Sequence, residues 1–163
     1  MAALHRFNEL LVKIGSWGTM LFILVIAVVI PYEVIGRYVF QQMTVWSGEV
    51  STYALVWASM LGGAVGLKKG YAISITALVD ILPAAPARAL KLIACLAALF
   101  FFGTLFGYGL FQTLYNVNQT SPAIGMAMSI PYAALPAGFF IMFFLTLEEF
   151  LASLDLGSEG ADR

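Results

Sequence analysis

Leu92-IACLAALFFFGTLFGYGLFQTLYNVNQTSPAIGMAMSIPYAALPAGFFIMFFLT-Leu147 is a run of 56 residues without one Asp, Glu, Lys or Arg. A hydrocarbon core about 30 Å thick is crossed by about 20 apolar residues in a helix. The run therefore holds two crossings, Leu92–Leu114 and Ile130–Leu147, separated by the turn-like segment Tyr115–Ser129. Working outward towards the N-terminus, Val50–Leu67 and Ile14–Tyr32 are two further uncharged stretches of similar length. None alternates apolar with polar residues as a barrel strand does. In lipid every backbone group must be satisfied within the segment, so these are helices.

The reading is an all-α membrane protein with four transmembrane helices. The spans fall at about 14–38, 47–67, 90–114 and 130–149, in a single membrane domain over 1–163 with an acidic C-terminal tail at 150–163. Charged residues are 10% of the chain, against about 25% in soluble domains. The net charge of −1 offers no basic patch, so nucleic acid is not an expected partner, while membrane lipid is. Cys95 is the only cysteine and His5 the only histidine. A disulfide framework, a thiolate or histidine metal cluster and a bis-histidine haem anchor are all disfavoured. No acid or base stands in mid-span, and no Ser/His or Cys/His pair suits nucleophilic catalysis. The chain reads as a non-enzyme without a cofactor of its own.

Seven of the eight Lys and Arg residues fall on one side of the membrane. Arg6 and Lys13 precede span one, Lys68, Lys69, Arg88 and Lys91 lie between spans two and three, and Arg163 follows span four. Arg37 alone lies on the other side. The positive-inside rule then makes both termini cytoplasmic, with Lys68, Lys69, Arg88 and Lys91 as a basic inner boundary. The apolar pattern of span one continues through Tyr38 with no small-x-small site before Pro31, so it reads as a retained helix, not a cleaved signal. Gly66–Gly70 reads as a helix stop. Residues 71–82 are too short to span and, with Ile73, Ile75, Leu78 and Val79 among Ser74, Thr76 and Asp80, suggest a short amphipathic segment in the interface.

Glu33 and Arg37 stand four apart on one helix face, acid first, the favourable order for an ion pair. Glu49 opens the next helix, close by if the turn is tight. Two carboxylates around one guanidinium would either clamp the outer hairpin or dock a partner. An ion relay is the sharper alternative, weakened because groups near the membrane edge can snorkel. Trp46 suits the interface, while Tyr53 and Trp57 share a stripe of span two, with Trp57 deep enough to need a protein neighbour. Gly62-x-x-x-Gly66 and Gly103-x-x-x-Gly107 permit close helix approach, within the chain or against a partner. Tyr108, Gln112, Tyr115 and Asn116 form a polar strip on span three, read as cross-helix hydrogen bonding near the interface. A small proton-coupled exporter acting as a homodimer also has four helices, but it needs a carboxylate deep in span one; Glu33 comes near its outer end.

Three segments together carry a resemblance: Glu33-Val-Ile-Gly-Arg37-Tyr-Val-Phe40; Val45-Trp-Ser-Gly-Glu49 with Leu61-Gly-Gly-Ala-Val-Gly-Leu-Lys-Lys-Gly70; and Ser121-Pro-Ala-Ile-Gly125 with Ile130-Pro-Tyr132 and Leu135-Pro-Ala-Gly-Phe139. In order and spacing the chain resembles the small, DctQ-type membrane subunit of tripartite ATP-independent periplasmic (TRAP) transporters over roughly residues 10–150. Ser51-Thr52-Tyr53 and Tyr71-Ala72-Ile73 depart from residues often found in that family, which leaves the substrate open. The resemblance implies a bacterial inner-membrane scaffold for a large permease subunit holding the substrate and sodium sites. It also implies a periplasmic binding protein that delivers a carboxylate such as a sialic or dicarboxylic acid. Glu33, Arg37 and Glu49 would then lock the outer hairpin or face the large subunit, with Trp46 as interface anchor.

Overall fold

The computed structural model describes residues 2–41, 44–79 and 84–155, with side chains for 4–41, 44–68, 70, 86–87 and 89–154. Five helices follow in order: α1 (Ala2–Tyr38), α2 (Val45–Val79), α3 (Ala84–Tyr115), the single turn α4 (Ser129–Tyr132) and α5 (Ala134–Asp155). Four segments are long and apolar enough to cross a membrane: Leu4–Tyr38, Val45–Lys68, Ala89–Tyr115 and Ser129–Leu154. They match the four expected spans. Five hydroxyls inside them are satisfied locally: Ser16, Thr19, Thr104, Thr113 and Thr146 each donate to the carbonyl four residues back, at 2.8–2.9 Å. Such back-bonding lets polar side chains sit in lipid-facing helices.

One boundary differs from expectation. The stop at Gly66–Gly70 does not occur, and α2 continues unbroken to Val79. A glycine within a helix costs only about 1 kcal/mol, and Gly70 does not take the left-handed backbone that would end one. The side chains of 71–79 lie outside the described residues, as does the tail beyond Asp155.

The helices form a layer in the spatial order α1, α2, α5, α3, not a closed four-helix bundle. α2 and α5 pack together at the centre, α1 packs on α2 and α3 on α5, and the α1 and α3 backbones do not approach each other among the described residues. Leu61, Ala64, Ile141 and Leu145 form the α2–α5 core, with Leu11, Val12, Phe22, Trp57 and Met142 packed around it. The α2–α5 approach is close at Gly138, where an added Cβ would lie 2.9 Å from the Met60 Cβ and 3.1 Å from its carbonyl oxygen. Gly109 plays the same part between α3 and α5, 3.1 Å from the ring and nitrogen of Pro136. Of the two glycine pairs noted in the sequence, Gly62 meets Thr19 and Gly103 meets Phe143, while Gly66 and Gly107 face open space. A phenylalanine ladder, Phe102–Phe139, Phe106–Phe140 and Phe140–Phe144, fills the rest of the α3–α5 seam at ring separations of 4.7–6.4 Å.

Candidate functional site

The polar chemistry of the described residues is concentrated at the two ends of this layer. At the end holding the start of α1 and the close of α5, four helices are tied by charge. His5 Nδ1 lies 2.6 Å from Glu148 Oε1. Asn8, wholly buried at 0% exposure, donates its amide N–H groups to Glu148 Oε2 at 2.6 Å and to the Phe144 carbonyl at 3.0 Å. Lys68 of α2 pairs with Glu9 of α1, and Lys91 of α3 pairs with Glu149 of α5 at 2.6 Å. The basic boundary foreseen at Lys68 and Lys91 is therefore neutralised pair by pair. The side chains of Lys69 and Arg88 lie outside the described residues.

Sequence reasoning missed this collar. Glu148 and Glu149 directly follow the uncharged run that ends at Leu147, and Asn8 carried no signal of its own. The signal present was stoichiometric: four helix ends at one level held three basic residues, His5, Lys68 and Lys91, and three acids, Glu9, Glu148 and Glu149.

At the opposite end the expected cluster of two carboxylates around one guanidinium does not form. Arg37 pairs with Glu33 alone, at 3.4 Å, with half of the arginine side chain exposed. Glu49 turns instead to the loop between α3 and α4. It accepts from the Ser121 hydroxyl, from the Ala123 amide at 3.1 Å and from the Ile124 amide at 3.3 Å. That loop is folded on itself: Ser121 N–H donates to Met126 O and Met128 N–H to Gln119 O, both at 2.8 Å, and Gly125 takes a positive φ of 71°. A carboxylate facing two backbone amides and a hydroxyl is a better-matched acceptor than one shared with an exposed guanidinium. Ser121-Pro122-Ala123-Ile124 thus finds its anchor 72 residues back in the chain.

The aromatic residues set the level of this opposite end. Trp46 packs on Tyr32 with ring centroids 5.9 Å apart. Tyr53 donates to Met128 Sδ at 3.3 Å. Trp57, in mid-span, stacks on Phe22 at 5.5 Å and gives its indole N–H to Ile130 O at 3.2 Å, where α4 yields to α5. The protein neighbour expected for Trp57 is present. The strip on α3 behaves otherwise: Asn116 caps its own helix through Gln112 O at 2.7 Å, and Tyr108 and Tyr115 point outward.

From Glu9 at the collar to Tyr32 at the aromatic level is 23 residues, about 34 Å of helix at 1.5 Å per residue. That matches one hydrocarbon thickness plus its edges. The last turn and a half of α1 then stands beyond this aromatic level, ending in Tyr38 and followed by Val39 and Phe40, which are 78%, 68% and 68% exposed.

A layer of four helices long and apolar enough to cross a membrane, with polar contacts at its two rims and wide apolar flanks, defines a multi-pass membrane protein. The chain matches tripartite ATP-independent periplasmic transporters, DctQ component, over residues 26–156, and it belongs to that family of small permease subunits. It is 26% identical over 140 residues to the ectoine TRAP transporter small permease protein TeaB of Halomonas elongata, covering 85% of this chain and 72% of that protein. It is 29% identical over 106 residues to the C4-dicarboxylate TRAP transporter small permease protein DctQ of Rhodobacter capsulatus, covering 64% of this chain and 47% of that protein.

Proposed function

We propose that this chain is a non-catalytic scaffold that widens and braces a larger permease subunit, where the substrate and coupling-ion sites lie. The observation that carries the reading is the outer tip of α1. Tyr38, Val39 and Phe40 stand exposed beyond the outer aromatic level, where acyl chains no longer cover them, and an apolar patch outside the hydrocarbon is characteristic of a protein interface. The adjoining Glu33–Arg37 pair is already neutralised, which suits a permanent apolar contact better than a transient polar one. The charge pattern supports the same role, since no Asp, Glu, Lys or Arg lies between Lys13 and Glu33, between Glu49 and Lys68, or between Lys91 and Glu148.

The distribution of Lys and Arg supports an orientation with the collar, both termini and the α2–α3 connection in the cytoplasm and the Glu49-held loop in the periplasm. There that loop helps receive a soluble substrate-binding protein. Residues 71–79 are proposed to reach the cytoplasmic interface as the direct continuation of α2. The system is proposed to take up a small carboxylate-type solute with sodium. The C4-dicarboxylate named for one relative supports that class, and the ectoine named for the other widens it to small organic solutes.

The test is site-directed cross-linking in native membranes. A photo-reactive residue in place of Val39 should join the chain to a polytopic polypeptide several times its mass. Cross-links from Val39 to lipid alone would remove the observation on which the reading rests.

A further inference from the structure

We infer that Arg6, Lys13 and Trp17 form a binding site for the headgroup of one anionic phospholipid on the free edge of α1, beside the collar. Arg6, Leu10, Lys13, Trp17, Met20 and Leu24 recur at three- and four-residue spacing, which sets them in one stripe of the helix. All six are exposed. The face of α1 that packs into the layer lies on the opposite side, marked by Asn8 in the collar, Gly15 against Val65 and Phe22 on Trp57. The stripe therefore looks away from the rest of the chain. Among the described side chains, Arg37, Lys68 and Lys91 each face an acid. Arg6 and Lys13 do not. Glu9, the nearest acid along their helix, is turned to Lys68 of α2. Trp17 is 68% exposed, and its indole N–H meets no acceptor among the described residues.

Depth and charge identify the occupant. Lys13 lies about 6 Å deeper in the membrane than Glu9 at the collar, one helical turn. Helical side chains lean towards the N-terminus, which for Lys13 is the direction of the membrane edge. Its ammonium snorkels out along its own stem into the space in front of Arg6, at the level of lipid phosphates. The Trp17 ring leans the same way and carries its N–H towards the ester carbonyls beneath those phosphates. A partner polypeptide fits less well, because the cores of protein interfaces are depleted of charge, Lys included. An unneutralised pair of cations at the rim complements the surface of an anionic leaflet instead, where basic residues gain from lipid charge. The ligand class is a phospholipid of net negative headgroup, its phosphate accepting from Arg6 and Lys13 and an ester carbonyl from Trp17. The site stands whether or not the scaffold reading above holds, and in either orientation of the chain.

The experiment uses the intact transporter complex purified in mild detergent, washed and titrated with phosphatidylglycerol or phosphatidylcholine, with bound lipid counted by native mass spectrometry. Wild type is expected to hold one phosphatidylglycerol per chain that Arg6→Gln/Lys13→Gln binds about 30-fold more weakly, the loss of two cations at a membrane surface. Phosphatidylcholine binding is expected to be the same in both. Both side chains are exposed, so the variant complex should assemble as wild type does. Equal phosphatidylglycerol affinity in the two complexes would overturn the site, and so would an equal loss for both lipids. Displacement of the lipid by inorganic phosphate at matched concentration would overturn it in favour of a free anion. In parallel, a benzophenone side chain replaces Leu10, between the two cations, and is irradiated in native membranes, where it should tag phospholipid. Cross-linking from position 10 to a polypeptide would overturn the lipid in favour of an acidic partner.

Discussion

Glu49 looked, in the sequence, like the second acid of an outer charge cluster, and the structure makes it the anchor of a loop. Adjacency along the chain put it near Arg37, but an acceptor goes to the donors best placed for it, and those were backbone amides with no sequence signature. Hydrogen bonds to a charged group are worth about 1.5–3 kcal/mol. Glu49→Ala should therefore speed amide exchange at Ala123 and Ile124 by about 10- to 100-fold, read by hydrogen–deuterium exchange. Unchanged protection would remove Glu49 from that role. Arg37 predicts the opposite pattern. Its pair with Glu33 is long and half-exposed, so Arg37→Ala should alter the chain's own stability by less than about 1 kcal/mol. Sodium and substrate affinities of the assembled complex should stay at wild-type values. A large loss of either affinity would place a transport ligand on this chain.

At the scale of elements, the spans were legible because nothing but a helix tolerates such apolar runs in lipid. Which glycines matter was not legible, because the x-x-x spacing records only that two residues share a face, not what the face meets. Gly138 and Gly109, outside either noted pair, make the closest approaches to a neighbouring backbone, while Gly66 and Gly107 face open space. Gly138→Ala should accordingly destabilise the α2–α5 seam by about 1–3 kcal/mol. Gly107→Ala should leave the chain's melting in detergent unchanged or slightly higher. Equal effects of the two substitutions would refute the packing described. The length of α2 was misread for a related reason: glycines at 66 and 70 weaken a helix, and neither ends it without a left-handed turn. The collar was hidden because Asn8 belongs to no charge pattern. Asn8→Ala, which deletes two interhelical hydrogen bonds, should cost about 1–2 kcal/mol of stability, measurable by thermal unfolding of the purified chain.

The whole molecule is a layer with two rims, and its wide lipid- or partner-facing flanks follow from the order α1, α2, α5, α3. α1 has one neighbour over most of its length, and α3 likewise; such edges suit a chain that completes a larger assembly. Topology belongs to this scale as well. Alkaline phosphatase fused within 117–125 should be active in cells, and fused after Asp155 it should be inactive; the reverse pattern would invert the orientation. The account's central claim, that the chain serves a larger permease and transports nothing alone, is tested most directly by affinity purification from native membranes in mild detergent, with mass spectrometry of what accompanies it. The account predicts one polytopic partner several times larger, in stoichiometric amount. A chain recovered alone, or only with copies of itself, would contradict it.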